Sequence, residues 1–509
     1  MKRLVVAVVF AVSLLTGIEA APTDAVTQAD LKALLDRITA LEAQNKAQAA
    51  RISELEAGAK ATETKIKQTE VKVAAVAQPA KAVAVAKDDG TTTNESGRIY
   101  TTSQGFKYYL ADASARIFEP LSESGLKITP YGYLVFEATH NTRGTEVDIY
   151  TDYVRSKSSD GYRSHTTTLT MQDSILGLQF ETPESVMGWT FTGRAEMDLA
   201  GDHSNDYAFH WRHLYVNAEH DAYGWDGEKN GSWSIIFGQT WHLWKMVAPS
   251  EIDGAWLENT GYPYRRSPQL RVTRKWDFED SSFEARIGVV KNGPGMGGDR
   301  DGDGSQDNSS SAWPLFEAAF IYDHDAAWAN GRRWLIGLGG QYGRDRSYRF
   351  NDEGHFGSPE EYNSQMIMLA GSIPFTIDHV GDFTLCGQIF AGENLGGVQA
   401  GVGQRVAFAE WDRKGQEVAT VGGFIDLNYK LNDDWSFAVG YGFDNPSLKT
   451  GYDQGIENIT YNDRAYIDAF YQITDNFKLG LEYGRLSTSY RGDGTAYDDR
   501  IQFAAFYDF

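Results

Sequence analysis

The stretch Asp498-Asp499-Arg500-Ile501-Gln502-Phe503-Ala504-Ala505-Phe506-Tyr507-Asp508-Phe509 closes the chain. Ile501, Phe503, Ala505, Tyr507 and Phe509 share one face of a strand, and Arg500, Gln502, Ala504 and Asp508 the other. Phe506 is the exception on the polar side. A period of two, apolar outside and polar inside, is what a lipid-facing barrel strand requires. The pattern recurs upstream in Trp189–Leu199, Trp233–Trp241, Phe283–Lys291, Trp334–Tyr342, Trp435–Phe443 and Phe477–Tyr483. Between such runs, short connectors (Asn432-Asp433-Asp434, Thr474-Asp475-Asn476) alternate with long polar ones at 140–165, 242–265, 292–312, 344–362, 392–418 and 445–462. That alternation of short periplasmic turns and long external loops is barrel topology. It predicts an all-β transmembrane antiparallel barrel of about 16 strands over 126–509, with Gln404–Trp411 left in a loop.

Upstream of the barrel the text changes character. Residues 1–20 read as a signal peptide: Lys2 and Arg3, an apolar run from Leu4 to Leu15, and a cleavage approach at Ile18-Glu19-Ala20. The run is too short for a membrane anchor, which needs about 20 apolar residues. Residues 21–78 hold an α-helical coiled coil. One seam carries Leu31, Ile38, Asn45, Ile52, Ala59, Ile66 and Val73; the other carries Leu34, Leu41, Gln48, Leu55, Thr62, Thr69 and Val76. Asn45 and Gln48 in adjacent layers are the residue types that fix register or strand number at a cost in stability. Residues 79–125 are a linker with a short pre-barrel segment around Phe106–Ile117.

Composition narrows the class. No later segment offers the long uncharged apolar run of a membrane helix, yet a barrel would escape such a scan. Aromatic residues make up 13% and glycines number 52, as girdles and curved strands would use. A single cysteine, Cys386, excludes an intrachain disulfide framework; its strand-like context predicts a packed thiol. The formal charge of −23 disfavours nucleic acid as a partner.

A chain ending on an amphipathic strand with Phe last resembles bacterial outer-membrane barrels. The order of signal, coiled coil, linker and barrel resembles the DcaP-like trimeric porins. Short elements similar to that family run in order from Gln172 to Thr273. They are Ser174-Ile175-Leu176-Gly177-Leu178, Arg212-His213-Leu214-Tyr215, Gly238-Gln239-Thr240-Trp241 and Arg266-Ser267-Pro268-Gln269-Leu270-Arg271. Tyr131-Gly132-Tyr133-Leu134 looks like the family's first strand. The resemblance implies a homotrimer in the outer membrane, passing small dicarboxylate-type anions. Larger acidic loops and an insertion at 292–312 depart from the pattern.

Strand parity places Arg194, Glu196 and Asp198 inside the barrel, with Arg271, Lys275, Glu284 and Arg286; Arg265 and Arg266 close the preceding loop. Arg265, Arg266, Arg271, Lys275 and Arg286 form a basic strip that could guide anions, or merely neutralise Glu196, Asp198 and Glu284. Loop 242–265 bears Glu251 and Asp253 between Trp244 and Trp256, and Glu258 just beyond. Folded inward, it would set acids against the basic strip across a constriction; otherwise it is a surface loop. Asp299, Asp301, Asp303 and Asp307, with Gly304 at the sixth position, match the start of a calcium loop. Ser310 stands where the bidentate Glu should be, so a solvated Asp/Gly loop is the plain alternative.

An enzyme is not expected. No nucleophile motif stands beside a histidine; His210 and His213, three apart on a strand, should face opposite ways, and His203 and His242 show no partner pattern. The expectation is therefore a passive outer-membrane channel for small hydrophilic solutes, modestly favouring anions, with no cofactor beyond calcium at 299–307. The other reading is a structural tether or adhesin with a largely closed barrel, its periplasmic coiled coil reaching the cell wall.

Overall fold

The computed structural model describes residues 126–509 apart from 148, 151, 183–184, 201–206, 225–226, 255, 293–312, 348–359, 410–411 and 448–458. It also describes a two-residue ladder pairing Tyr100–Thr101 with Lys107–Tyr108. The expected signal peptide, coiled coil and calcium loop, with Asp299, Asp301, Asp303 and Asp307, lie outside the described residues.

Seventeen strand segments close into one antiparallel barrel. Two of them, Thr166–Thr170 and Ile175–Glu181, pair in succession with one neighbour and form a single interrupted strand, which makes sixteen. In chain order they are β1 (Lys127–Asn141), the interrupted β2, β3 (Trp189–Asp198) and β4 (His210–Tyr223). Next come β5 (Lys229–Trp241), β6 (Arg266–Asp277), β7 (Ser281–Val290) and β8 (Trp313–Ala326). β9 (Arg332–Ser347), β10 (Glu360–Ile377), β11 (Gly381–Glu393) and β12 (Ala419–Lys430) follow. β13 (Trp435–Ser447), β14 (Ile459–Thr474), β15 (Phe477–Tyr490) and β16 (Gly494–Asp508) complete the wall. β16 pairs with β1, and Gly132 and Phe509 exchange two backbone hydrogen bonds of 3.1 Å at the seam. With every strand paired on both sides, no ladder edge is left open to hydrocarbon.

The pleat sorts the side chains as the last twelve residues foretell. Ile501, Phe503, Tyr507 and Phe509 are exposed outward, while Arg500, Gln502, Ala504 and Asp508 are buried inward. Aromatic rings gather outside at both rims. Trp233, Trp276, Phe283, Phe375, Phe383, Tyr429 and Trp435 lie near the short-turn end, with Phe383 and Tyr429 stacked at 4.6 Å. Tyr342, Tyr441, Phe443, Tyr461, Tyr483 and Tyr497 ring the other. Arg274, outward on β6, packs its guanidinium over Trp233 and Trp276.

The predicted strands and long connectors match closely, with two refinements. The last connector at the long-loop end is only 491–493, because β15 and β16 run on past the rim. Loop 394–418 contains its own small ladder, Val406–Ala409 with Asp412–Glu417, separate from the barrel.

Candidate functional site

The lumen is shaped by loops that fold into it. Connector 242–265 begins with His242, Leu243 and Trp244 buried against the β6–β9 wall and crosses to the opposite side. Its first residue is fixed by a relay: His242 Nε2 lies 3.0 Å from Ser267 Oγ and Nδ1 lies 2.5 Å from Glu317 on β8. Glu317 also accepts from the Leu243 N–H and the Trp244 indole. The constellation has the order of a nucleophile, base and carboxylate, and it corrects the expectation that His242 lacks partners. All three members are nevertheless buried, so no substrate reaches the hydroxyl and the relay serves as an anchor.

Across the lumen the loop is clasped by Arg464 of β14. Its Nε lies 2.7 Å from Glu251 Oε1, and its two Nη atoms reach Asp253 and Glu482. Glu482 of β15 accepts from the Ile252 and Asp253 backbone N–H groups at 2.8 and 3.3 Å, and Arg500 of β16 lies 3.6 Å from Asp253. Arg464 is only 1% exposed, so these charges meet in a medium that strengthens each contact and makes an unpaired ion costly. Ile252 packs into a cluster with Tyr133, Val135, Ala504 and Phe506. Phe506, the misfit of the terminal strand, is thus part of the loop's landing site. Farther along, Trp256, Leu257, Tyr262 and Tyr264 pack on Phe424 and Ala438, and Gly261 lies against the Gly423 carbonyl.

Two further connectors join the first. Val154 of 142–165 packs with Val402, Ile459, Leu486 and Tyr490; Leu395, Val398 and Ala400 of 394–418 pack on Trp244, Met366, Met368 and Phe390. Asn259 accepts from the Gly403 N–H at 3.0 Å and its carbonyl from Asn462 at 2.9 Å, tying loop to loop and loop to wall. Glu258 accepts from the Tyr264 hydroxyl at 2.9 Å. Burial, with Asp152 beside it, holds the Glu258 carboxyl well above the usual range.

The consequence is a lopsided interior. The inner face of β12–β16 is covered: Asp426, Asp444, Asn462, Arg464, Glu482 and Gln502 are all buried. On the other half Arg194, Arg271, Lys275, Glu284 and Arg286 keep partial exposure. A cavity of about 570 Å³ lies between the loop and the wall, lined by Trp241, Lys245, Met246, Asp323, Arg333 and Cys386 among others. Cys386 is buried, its thiol 3.6 Å from the Ala248 carbonyl, as a packed thiol should be.

The predicted basic strip divides in two. Arg286 pairs with Glu284 and Lys275 with Asp277 at 2.9 Å, and outside the strip Arg194 pairs with Glu196. Arg265, Arg266 and Arg271 have no carboxylate within ion-pair distance among the described residues. Arg265 donates to the Gly397 carbonyl at 2.7 Å, and the Arg266 guanidinium lies 4.5 Å from the Trp241 ring centroid. Arg266 Nη1 and Arg271 Nε lack a hydrogen-bond partner among the described residues. Lys245, missed from sequence, stands beside them with its ammonium 3.3 Å from the Trp241 centroid and 4.8 Å from that of Trp256. Burial, with Arg266 and Arg212 nearby, pushes its pKa well below the usual lysine range.

Two expectations need correction. Glu251 and Asp253 do not face the basic strip; they point to Arg464 and Arg500 on the far wall, so their charge is spent on docking. Nor do His210 and His213 lie on opposite faces. A register shift between β3 and β4 leaves Glu196 opposite His213 and Met197 opposite Trp211, and such a bulge restores an inward aim after an extra residue. His210 lies 3.2 Å from Asp198 and His213 3.8 Å from Glu196. The same bulge turns Arg212 inward, at 2.9 Å from Glu196 and 2.8 Å from Asp198. Strict alternation hides all three.

No protein-family model and no curated protein sequence matches the chain. Among solved structures, the barrel is similar to the outer membrane channel DcaP of Acinetobacter baumannii. The identity is 19%, covering 76% of this chain and 99% of that one, with a TM-score of 0.58. Weaker likenesses include Pseudomonas putida OprB (10% identity, 78% and 97% covered, TM-score 0.47). Another is an anion-selective porin from Comamonas acidovorans (11%, 75% and 100%, 0.44). At these identities the likeness is one of fold alone, a closed antiparallel barrel.

Proposed function

We propose that the protein is a passive outer-membrane porin for small hydrophilic solutes, with loop 242–265 as its constriction and a modest preference for anions. The observation that carries this reading is the uneven lumen. The loops cover the inner face of β12–β16 and leave Arg194, Arg271, Lys275, Glu284 and Arg286 partly solvated on the other half, with Arg265, Arg266 and Arg271 free of carboxylate partners among the described residues. Cations fixed on one side of a narrow, water-filled passage concentrate anions there and ease their transfer. Dicarboxylates as the favoured class rest on the family resemblance alone. A homotrimer joined by the 21–78 coiled coil, and calcium held by Asp299, Asp301, Asp303 and Asp307, belong to the same reading. The reaction is diffusion down a gradient, with no catalytic step.

The three inward connectors favour a second reading, a tether or adhesin whose barrel is largely closed. Single-channel conductance in a planar bilayer under a salt gradient decides between them. Stepwise openings with an anion-favouring reversal potential, moved toward zero in Arg266→Gln and Arg271→Gln, are the expected result. Cation preference would keep the porin and remove the role of the arginines. Silence from a verified, folded barrel would select the tether.

A further inference from the structure

One outward patch carries charge that neither the lumen nor the strand ladder uses. On β15 the outward step after Tyr483 is Arg485, which lies opposite Asp499 of β16. The Arg485 guanidinium sits 4.9 Å from the centroid of the Tyr497 ring. Lys157, from connector 142–165, places its ammonium 5.9 Å from the same centroid. Arg143, at the start of that connector, lies 5.8 Å from the Tyr162 ring. All three cations are exposed.

Little opposes them locally. Asp499 reaches Arg485 only at 3.8 Å and accepts from the Tyr483 hydroxyl at 2.7 Å. Asp493 is occupied by the Ser156 hydroxyl and, at 2.9 Å, by the Ser158 N–H. Lys157 and Arg143 have no carboxylate within ion-pair distance among the described residues. Three exposed cations gathered in one patch of a chain of charge −23 stand out against its own background. Its height gives it meaning. Directly below on the same outer face, Leu481, Ile501 and Phe503 form the exposed apolar band, so the cations sit where hydrocarbon gives way to headgroups.

We propose that Arg485, Lys157 and Arg143 form a docking surface for phosphate-bearing headgroups of the outer leaflet, those of a phosphorylated glycolipid. An arginine fork and a lysine point charge are complementary to phosphate oxygens. The Tyr497 face holds both cations beside it through its ring quadrupole. Basic clusters at a bilayer surface draw anionic headgroups. The inference rests on the outer-membrane reading, with the long connectors outside. By contrast Arg344 and Arg346, outward on β9, are matched by Glu361 at 3.4 and 3.9 Å, and they serve as an internal control.

The test measures lipid binding by native mass spectrometry on the full chain in neutral detergent. The probes are diphosphoryl lipid A, the same lipid with its phosphates removed, and inorganic phosphate. The wild type should bind the phosphorylated lipid alone. Lys157→Gln with Arg485→Gln should weaken that binding about tenfold or more, some 1.4 kcal/mol, whereas Arg344→Gln with Arg346→Gln should not. Asp499→Asn, which removes the carboxylate facing Arg485, should tighten it. Equal binding of the dephosphorylated lipid, inorganic phosphate bound as tightly as the lipid, or no loss in the Lys157/Arg485 variant would overturn the proposal. Heat-modifiable gel migration confirms that each variant is folded, and Asp499→Asn keeps the test open if the double variant is not. Conductance measured in parallel separates the two readings: a silent barrel that binds lipid sinks the porin, and a conducting barrel that ignores lipid sinks the patch.

Discussion

Replacing Arg464 by Gln should undock loop 242–265 without unfolding the barrel. The side chain is 1% exposed and serves Glu251 and Asp253 of the loop together with Glu482 of the wall. At an effective dielectric of about 20, opposite charges about 4 Å apart attract by roughly 4 kcal/mol. Removing one partner of a buried pair costs about 3–5 kcal/mol. Three stranded carboxylates can take up protons, so we use the lower end, about 3 kcal/mol. That amounts to roughly two decades in the ratio of docked to undocked loop. The barrel ladder uses the Arg464 backbone and not its side chain, so the loss falls on docking rather than on strand pairing. In planar bilayers Arg464→Gln should show higher open-channel noise and sublevels absent from the wild type. Arg464→Lys should recover only part, since one ammonium cannot fork to three acids. Combining Arg464→Met with Glu251→Gln, Asp253→Asn and Glu482→Gln should quieten the channel again, because neutralising a whole buried cluster is close to neutral in energy. A quiet channel of unchanged conductance in Arg464→Gln would refute the reasoning.

Other consequences follow from single residues. Asp152, in connector 142–165, has its carboxyl pushed up to about 7 by burial, against a hydrogen bond from Asn259. Packing then favours the neutral acid, so its contribution is present in full below the free value near pH 4 and is lost as pH rises to about 7. Noise should climb over that window, and Asp152→Asn should flatten the climb; equal pH profiles would count against it. Gly261 has φ +111° and a Cβ there would strike the Gly423 carbonyl. Gly261→Ala should therefore cost about 1–3 kcal/mol of loop docking, read as increased noise with unchanged barrel melting. Leu481, 53% exposed on the outer face of β15, should tolerate Arg poorly. Urea unfolding from lipid vesicles should show a loss of about 2–4 kcal/mol if it lies near the midplane, and no loss would place that face out of contact with lipid.

What could be read from the letters follows from what each signal depends on. Strand faces depend on neighbours two residues away, so Ile501 to Phe509 and the Phe283 to Val289 strand gave their outward and inward sets directly. Loop lengths gave the connectors, and the length and aromatic content of 242–265 pointed to a loop that turns inward. Partners across the lumen depend on closure of the whole barrel and left no local trace. Asn462, Arg464, Tyr466 and Asp468 read only as an inward polar row, and nothing near them names Glu251. A register shift of one residue was equally silent, which is why Arg212 and His213 were misplaced or missed. One signal was available and unused: apolar residues on the polar face. Val135, Phe506, Met366, Met368 and Phe390 are inward, and each marks ground on which an inward connector lands.

The one-sided docking of the loops separates two kinds of wall. β12–β16, with Glu317 on β8 and Met366, Met368 and Phe390 on β10 and β11, carry the contacts that hold the connectors, and substitutions there would disturb the shape of the passage. β3–β7 carry the partly solvated Arg194, Arg271, Lys275 and Glu284, and changes there would alter what the passage attracts. Selection can thus retune the permeant without rebuilding the throat, as a lock can be rekeyed without recutting its case. A solute would also travel off the barrel axis, along one bank of the channel, feeling the charges of that bank far more than those of the other.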